Sequence, residues 1–411
     1  MKSFPNLKLT FFLSAGLMLV SCLGMAQAVD KNQTDDAITP AVNLTDTLGN
    51  AQPFDPSPND EFLKSISLIQ IDADMQRQID LGEVRLASKR YSKTYTAGKM
   101  DELAIDNRFG EVKINTWDKP EFKVEVQVNI YADKQSDAQS FLPLVNVFDT
   151  KKDALVAFKT IIGDTRGSDR LLWTANGQPH LKKIEINYVV YMPAKNSLNI
   201  SNSYGNVILP DFNGRLLLKS TYSSLKAQRL NNPLNQVKVS FGNASIESFS
   251  GSKLEISYGS LDLMEGDDLN ATISYGQARI GKLYSSANIS VRFGKELNIG
   301  GLDKKLKSLN ITSDYTAVKL GNVTQMNASY DVTTNYGILK TDDPSLKILA
   351  KLADNSSDLN SAKNYKGQLG KGNASCNIVI TSKFGFVSFN KPIKNGDEPK
   401  HPSPIKISSN L

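Results

Sequence analysis

Phe241-Gly242-Asn243-Ala244-Ser245-Ile246 and, 17 residues on, Tyr258-Gly259-Ser260-Leu261-Asp262-Leu263 share one phrase: an aromatic, a small residue, any residue, an apolar residue, any residue, an apolar residue. The phrase returns throughout the chain, headed by Phe109, Tyr204, Tyr222, Phe241, Tyr258, Tyr275, Phe293, Tyr315, Tyr336 and Phe384. From Tyr204 to Phe293 the aromatics advance by 18, 19, 17, 17 and 18 residues, less than the period of leucine-rich or helical repeats. The spacing suits stacked β-coils. The expected fold is all-β: a parallel β-helix, or solenoid, of repeats about 17–22 residues long.

A second register supports this. The residue four before each aromatic is Ile105, Ile200, Leu218, Val237, Leu254, Ala271, Ile289, Ile311, Val332 or Ile380. Apolar residues at minus four, plus three and plus five change inward parity across the aromatic, so two short strands meet at a bend. Gly, Ser or Thr at plus one is read as the bend maker. The aromatics share inward phase with minus four, which predicts a stacked internal or corner ladder rather than a sugar-binding platform. Between Phe293 and its apolar pair one extra residue predicts a bulge.

Working outward, the chain divides into seven parts. Residues 1–28 read as a secretory leader, with Lys2, Lys8 and an apolar run from Leu9 to Val20. Leu19-Val20-Ser21-Cys22 has the form of a lipobox, which would leave Cys22 lipidated; Ala26-Gln27-Ala28 has the form cut by signal peptidase I. Both remain open. Residues 29–62, with Pro53, Pro56 and Pro58, read as a tether. Residues 63–193 form a β-rich block with a short helix. There, Phe122 to Ile130 alternate as a half-buried strand, Ser136 and Gln139 have the form of a capping box, and residues 63–87 suit either strands or a helix. The repeats occupy 194–341, an insertion or cap 342–375, a final coil 376–392 and a tail 393–411.

Charge and chemistry narrow the function. The chain has 48 basic and 42 acidic residues, net +6, which falls to +4 without Lys2 and Lys8. With no block of like charge, nucleic acid is not an expected partner. His180 and His401 are the two histidines, too few for a His-based zinc site or a Ser-His-Asp triad. Asp262, Glu265, Asp267 and Asp268 form the densest acidic group, with the last two read as a solvated turn. Gly367-x-x-Gly370-x-Gly372 lacks the strand and helix that frame a phosphate loop. No cofactor, metal or catalytic residue is expected. Cys376 reads as a small buried apolar residue, and Trp173 is the aromatic outside the ladder held as a contact candidate.

The run Asn107-Arg108-Phe109-Gly110-Glu111-Val112-Lys113-Ile114-Asn115-Thr116-Trp117-Asp118-Lys119, the helix, Tyr191-Met192-Pro193 and then the Ser-Tyr-Gly ladder resemble the bacterial putative adhesin family with a head-GIN, auto-transporter-adhesin-like β-solenoid. The resemblance covers residues 90 to 390. It implies a non-enzymatic, exported β-helical envelope protein, an adhesin or scaffold meeting an unknown glycan or envelope protein, at the cell surface or in the periplasm. Contact with the membrane would come only through a lipid on Cys22. A β-helix polysaccharide lyase or hydrolase, and an envelope sensor or regulatory module, are the rival expectations.

Overall fold

The computed structural model describes residues 73–163, 181–323, 326–341, 347–352 and 362–389. It is all-β, one large sheet with few helical residues. Helix α1 (Ala73–Asp80) precedes β1 (Arg85–Thr96), β2 (Glu102–Arg108), β3 (Val112–Trp117) and β4 (Glu121–Ala132). Helix α2 (Gln135–Phe141) leads to β5 (Val145–Lys152), β6 (Leu155–Ile162) and β7 (Leu181–Pro193). Next come β8 (Ser197–Ser203), β9 (Asn206–Leu209), β10 (Leu216–Thr221), β11 (Ser224–Asn231), β12 (Gln236–Ser240), β13 (Ala244–Ser257), β14 (Ser260–Ser274) and β15 (Gln277–Arg292). Then follow β16 (Glu296–Leu302), β17 (Ser308–Asp314), β18 (Ala317–Leu320), β19 (Ala328–Asn335) and β20 (Leu339–Thr341). The last are β21 (Lys347–Leu352), β22 (Ala362–Leu369), β23 (Cys376–Lys383) and β24 (Val387–Phe389).

Two parallel ladders flank the aromatic corners. In the first, Ile105, Ile200, Leu218, Val237, Leu254, Ala271, Ile289, Ile311, Ile380 and Val332 are successive Cα partners. The second aligns Val112, Val207, Leu225, Ala244, Leu261, Ala278, Leu297, Val318, Val387 and Leu339. All twenty are buried except Leu339, which packs against the core from its edge. These are the minus-four and plus-three registers of the sequence, with one added residue before Leu297. A third inward position lies eight residues after the aromatic, at Phe212, Leu230, Phe249 and Leu283. Gly266 takes that place between Phe249 and Leu283, and Leu263, Leu269 and Leu283 close over it.

Spatial order departs from chain order at one place. Strand β23 lies between β17 and β19, so the rung headed by Phe384 precedes the one headed by Tyr336. The intervening segment supplies β22, antiparallel along the outer edge of β19, and β21, antiparallel to β22. At the opposite end β6, itself paired with β5, covers β2, while β7 followed by β4 and β1 extends from β3. Antiparallel strands thus occupy edges that would otherwise offer unpaired backbone.

Three expectations about the first block change. Residues 73–80 are helical, which settles that part of the undecided segment; 63–72 lie outside the described residues. Helix α2 starts at Gln135 with Lys134 as an N-cap that makes no side-chain bond, so Ser136 is already inside the helix and no capping box forms. Strand β4 is buried on both faces, not one: Glu125, Gln127 and Asn129 are buried, as are Val126 and Val128. Neighbouring polar groups satisfy them laterally, as Asn129 accepts from Ser88, Gln127 from Arg90, and Glu125 pairs with Lys123 at 2.9 Å. Polar groups withdrawn from water need such partners.

Candidate functional site

Every aromatic that heads a rung adopts a left-handed backbone, with φ between 50° and 61°. Bulky side chains rarely do so. The bend is therefore made by the aromatic itself, not by the small residue after it. Leaving the β region breaks the period-two parity at that residue, which turns its ring out: the nine rings from Tyr204 to Phe384 are 45–52% exposed, and Phe109 is partly buried. The expected inward phase of the aromatics is overturned on this ground.

The small residue has a different cause. A Cβ on Gly259 would lie 1.9 Å from the carbonyl oxygen of Gly242, and one on Gly276 would lie 2.0 Å from that of Gly259. Stacked corners leave no room for it. Thr316 does carry a side chain there; its hydroxyl accepts from the Gly294 amide, and the ring step beside it, from Phe293 to Tyr315, is the widest of the column at 5.5 Å.

The rings form one column in the order Phe109, Tyr204, Tyr222, Phe241, Tyr258, Tyr275, Phe293, Tyr315, Phe384, Tyr336. Successive centroids are 4.5–5.5 Å apart and planes tilt by 1–15°. Each inner ring has both faces covered by its neighbours, and the guanidinium of Arg108 lies 5.9 Å from the Phe109 centroid. What reaches solvent is a row of ring edges and tyrosine hydroxyls. A pyranose needs a free face to stack upon, so the inner rings offer no such platform.

The residue before each ring and the one two after it flank the column. Around the five rings from Tyr204 to Tyr275, the first row reads Ser203, Thr221, Ser240, Ser257, Ser274, and the second Asn206, Ser224, Asn243, Ser260, Gln277. None is charged. A shallow groove of about 540 Å³ runs beside Tyr275 and Phe293, lined by Asn243, Ser260, Gln277 and Lys295. Within it Asn243 Oδ1 accepts from the amide and hydroxyl of Ser260, at 3.0 and 2.8 Å.

Polar walls extend away from the corner. Ser245, Asp262, Arg279, Asn298 and Lys319 align across adjacent strands, as do Lys238, Glu255, Thr272, Ser290 and Thr312. Farther from the ring along β11, Arg229 bridges Asp211 at 2.9 Å and Glu247 at 3.2 Å. The acidic group is dispersed: Glu265 accepts from Tyr284, and Asp268 accepts from Ser286. Asp267 and Asp268 lie inside β14 at a register shift, not in a loop. Among the described residues no set of three His, Cys, Asp or Glu is placed to hold a metal ion. Gly367 lies in β22, and the turn of Gly370 and Gly372 is held by the Asn327 side chain, which accepts from the Gly372 amide.

Inside the corner lies a polar group the sequence reading missed. Two residues before the ring, Asn107 and Asn202 are buried; Asn107 donates to Asn202 Oδ1 and the Ile186 carbonyl, and accepts from Thr160, whose hydroxyl meets Tyr188 at 2.7 Å. Val239, Ile256, Ile273 and Val291 fill the same place centrally. An Asn recurring two before an aromatic was the available signal. Cys22, Trp173, His180 and His401 lie outside the described residues.

No protein-family profile matches this chain, and no curated protein matches it. Among solved structures it is similar to a "putative adhesin" from Parabacteroides merdae, 12% identical over 74% of this chain and 96% of that one, TM-score 0.33. It is similar also to a "putative adhesin" from Bacteroides fragilis, 10% identical over 73% and 97%, TM-score 0.30. A third is a "putative lipid binding protein" from Parabacteroides distasonis, 10% identical over 74% and 97%, TM-score 0.27. TM-scores this low leave the function of this chain to be read from its own residues. Among the described residues no helix is long and apolar enough to cross a membrane.

Proposed function

We propose that the chain is a non-enzymatic, exported envelope protein of the head-GIN adhesin type, whose two parallel ladders wind as a β-solenoid and present polar walls to a glycan or protein partner. The observation that carries this reading is the alignment of Lys238, Glu255, Thr272, Ser290 and Thr312 on one wall, none of them buried. Stacked strands place such groups about 4.8 Å apart, giving a long bed of donors and acceptors fixed by the backbone rather than by loops. A rigid surface loses little conformational entropy when it binds an extended polar chain. The leader supports export, and covered ladder ends suit a protein that must stay soluble beside other strands.

The test is to treat intact cells with a protease that cannot cross the outer membrane and follow the chain by immunoblot, with a periplasmic protein as the leakage control. Digestion with the control intact is expected. Full protection of both would sink presentation at the cell surface.

A further inference from the structure

We propose that the aromatic column is a self-docking surface, on which a second copy of this chain seats its own column antiparallel to the first. This inference does not depend on the proposed function, since it concerns a face that the polar walls do not use.

Area is the first argument. Taking about 200 Å² for each ring, nine half-exposed rings leave on the order of 900 Å² of mainly apolar surface in one strip. A soluble monomer's largest exposed apolar patch is about 300–600 Å², whereas a stable interface buries about 800 Å² per partner. The strip exceeds the first figure and meets the second.

Composition is the second. Around the rings from Tyr204 to Tyr275 the flanking positions carry no charge, and the centres of interfaces are depleted in charge and enriched in tyrosine. The central rings are also nearly parallel, with tilts of 3° between Phe241 and Tyr258 and 1° between Tyr258 and Tyr275.

Commensurate spacing selects the occupant. Ring edges recur every 4.5–5.5 Å, and a surface with the same recurrence fits them along its whole length; a second copy has it by construction. A two-fold axis closes the assembly at two copies.

Charge decides the direction. With columns parallel and in register, the two-fold would lay the row before the rings on the row after them, setting Arg292 opposite the partner's Lys295. With columns antiparallel, each row meets its own counterpart reversed. Arg292 and Lys295, which flank Phe293, then face the uncharged flanks of Phe241. Like charges directly opposed cost affinity, so the antiparallel arrangement is favoured, with its axis between Tyr258 and Tyr275.

The full chain is to be run by sedimentation velocity from 1 to 100 µM, a range chosen around the roughly micromolar affinity of an ordinary interface. A concentration-dependent dimer is expected. The double substitution Tyr258→Asn with Tyr275→Asn removes two central rings while keeping a residue that tolerates the left-handed backbone; it should weaken the dimer at least ~30-fold, the effect of losing one strong contact residue. Ser257→Lys is the second variant, because position 257 faces Ser274 of the second copy, on which Arg292 rests at 3.0 Å, so it sets like charges across the axis without touching a ring and should weaken the dimer as well. A wild-type chain that stays monomeric throughout, including one whose column takes a glycan instead, overturns the proposal. So do dimers unaffected by either folded variant, or open-ended oligomers.

Discussion

Tyr258 and Tyr275 stack with centroids 4.6 Å apart and planes 1° from parallel, and both hold φ at about 55°. The two facts belong together. A left-handed backbone costs a non-glycine residue about 1–2 kcal/mol, while an aromatic pair returns about 0.5–1.5 kcal/mol beyond its buried area. Each inner ring takes part in two pairs, so stacking offsets the strain that turns the ring outward. Replacing Tyr258 by Ala removes the stacks with Phe241 and Tyr275 and keeps the strain, for an expected loss of about 1–3 kcal/mol. Replacing it by Gly loses the same stacks but relieves the backbone, so Tyr258→Gly should be about 0.5–1 kcal/mol less destabilising than Tyr258→Ala once the added chain entropy is counted. Denaturant midpoints of the two variants check this, and an alanine variant equal to or better than glycine would show that the positive φ carries no strain.

Gly259 and Gly301 should respond oppositely to alanine. At Gly259 the new Cβ would lie 1.9 Å from the Gly242 carbonyl oxygen, and that oxygen is fixed by a stacked corner. At Gly301 the nearest atom would be 3.9 Å away. Gly259→Ala should therefore cost more than about 4 kcal/mol, or unfold the central rungs, whereas Gly301→Ala should stay within about 0.5 kcal/mol of wild type. Thermal unfolding of the pair is the measurement; similar melting points would contradict the close approach.

Most of the rung was legible because strand parity is a local property. Val237 to Leu254 to Ala271 is an apolar series that any period-two reading finds, and the register follows from it. The outward turn of Tyr258 was not legible, since alternation holds only while φ stays in the β region, and Tyr-Gly suggests that the glycine bends. The insertion of β23 between β17 and β19 was equally hidden: Ile380 fits beside Ile311 or beyond Val332 by pattern alone, and only pairing decides. The inward place at plus eight escaped notice because Phe212, Leu230, Gly266 and Leu283 mix three residue types and fall outside the six-residue phrase. The polar face of β4 failed for a related reason, since Gln127 and Asn129 look solvated until Arg90 and Ser88 are brought alongside.

Lys89 gives a pH signature. Burial in β1 lowers its pKa from 10.5 to about 8, with Nζ 5.4 Å from the Tyr91 ring centroid. Between these values the unfolded chain holds the proton and the folded chain sheds it, so the unfolded state binds more protons and stability from this group rises with pH across that window. Below it, both states are charged and the folded one bears the full desolvation cost. Lys89→Met removes the cost, so the variant should exceed wild type in stability at pH 7.5 and the gap should narrow by pH 9.5. Unfolding free energies at the two pH values test this, and a gap that widens would show that the ammonium is stabilised rather than strained.

Cys376 tests the order of the rungs. It opens β23, is 3% exposed and is a free thiol. Burial pushes its pKa up to about 11, so at pH 8 only about one thiol in a thousand is the reactive thiolate. Strand β23 comes late in the chain yet is held on both sides, by β17 at Asn377 to Lys383 and by β19 along its full length. Labelling must therefore wait for β17 or β19 to open, an event drawn from the stable end of local unfolding. In a Cys22→Ser background, Ellman's reagent at pH 8 should leave the native protein unlabelled over minutes and react with one thiol on unfolding. Rapid labelling of the folded chain would place β23 at an exposed edge and return the Phe384 rung to the end of the column.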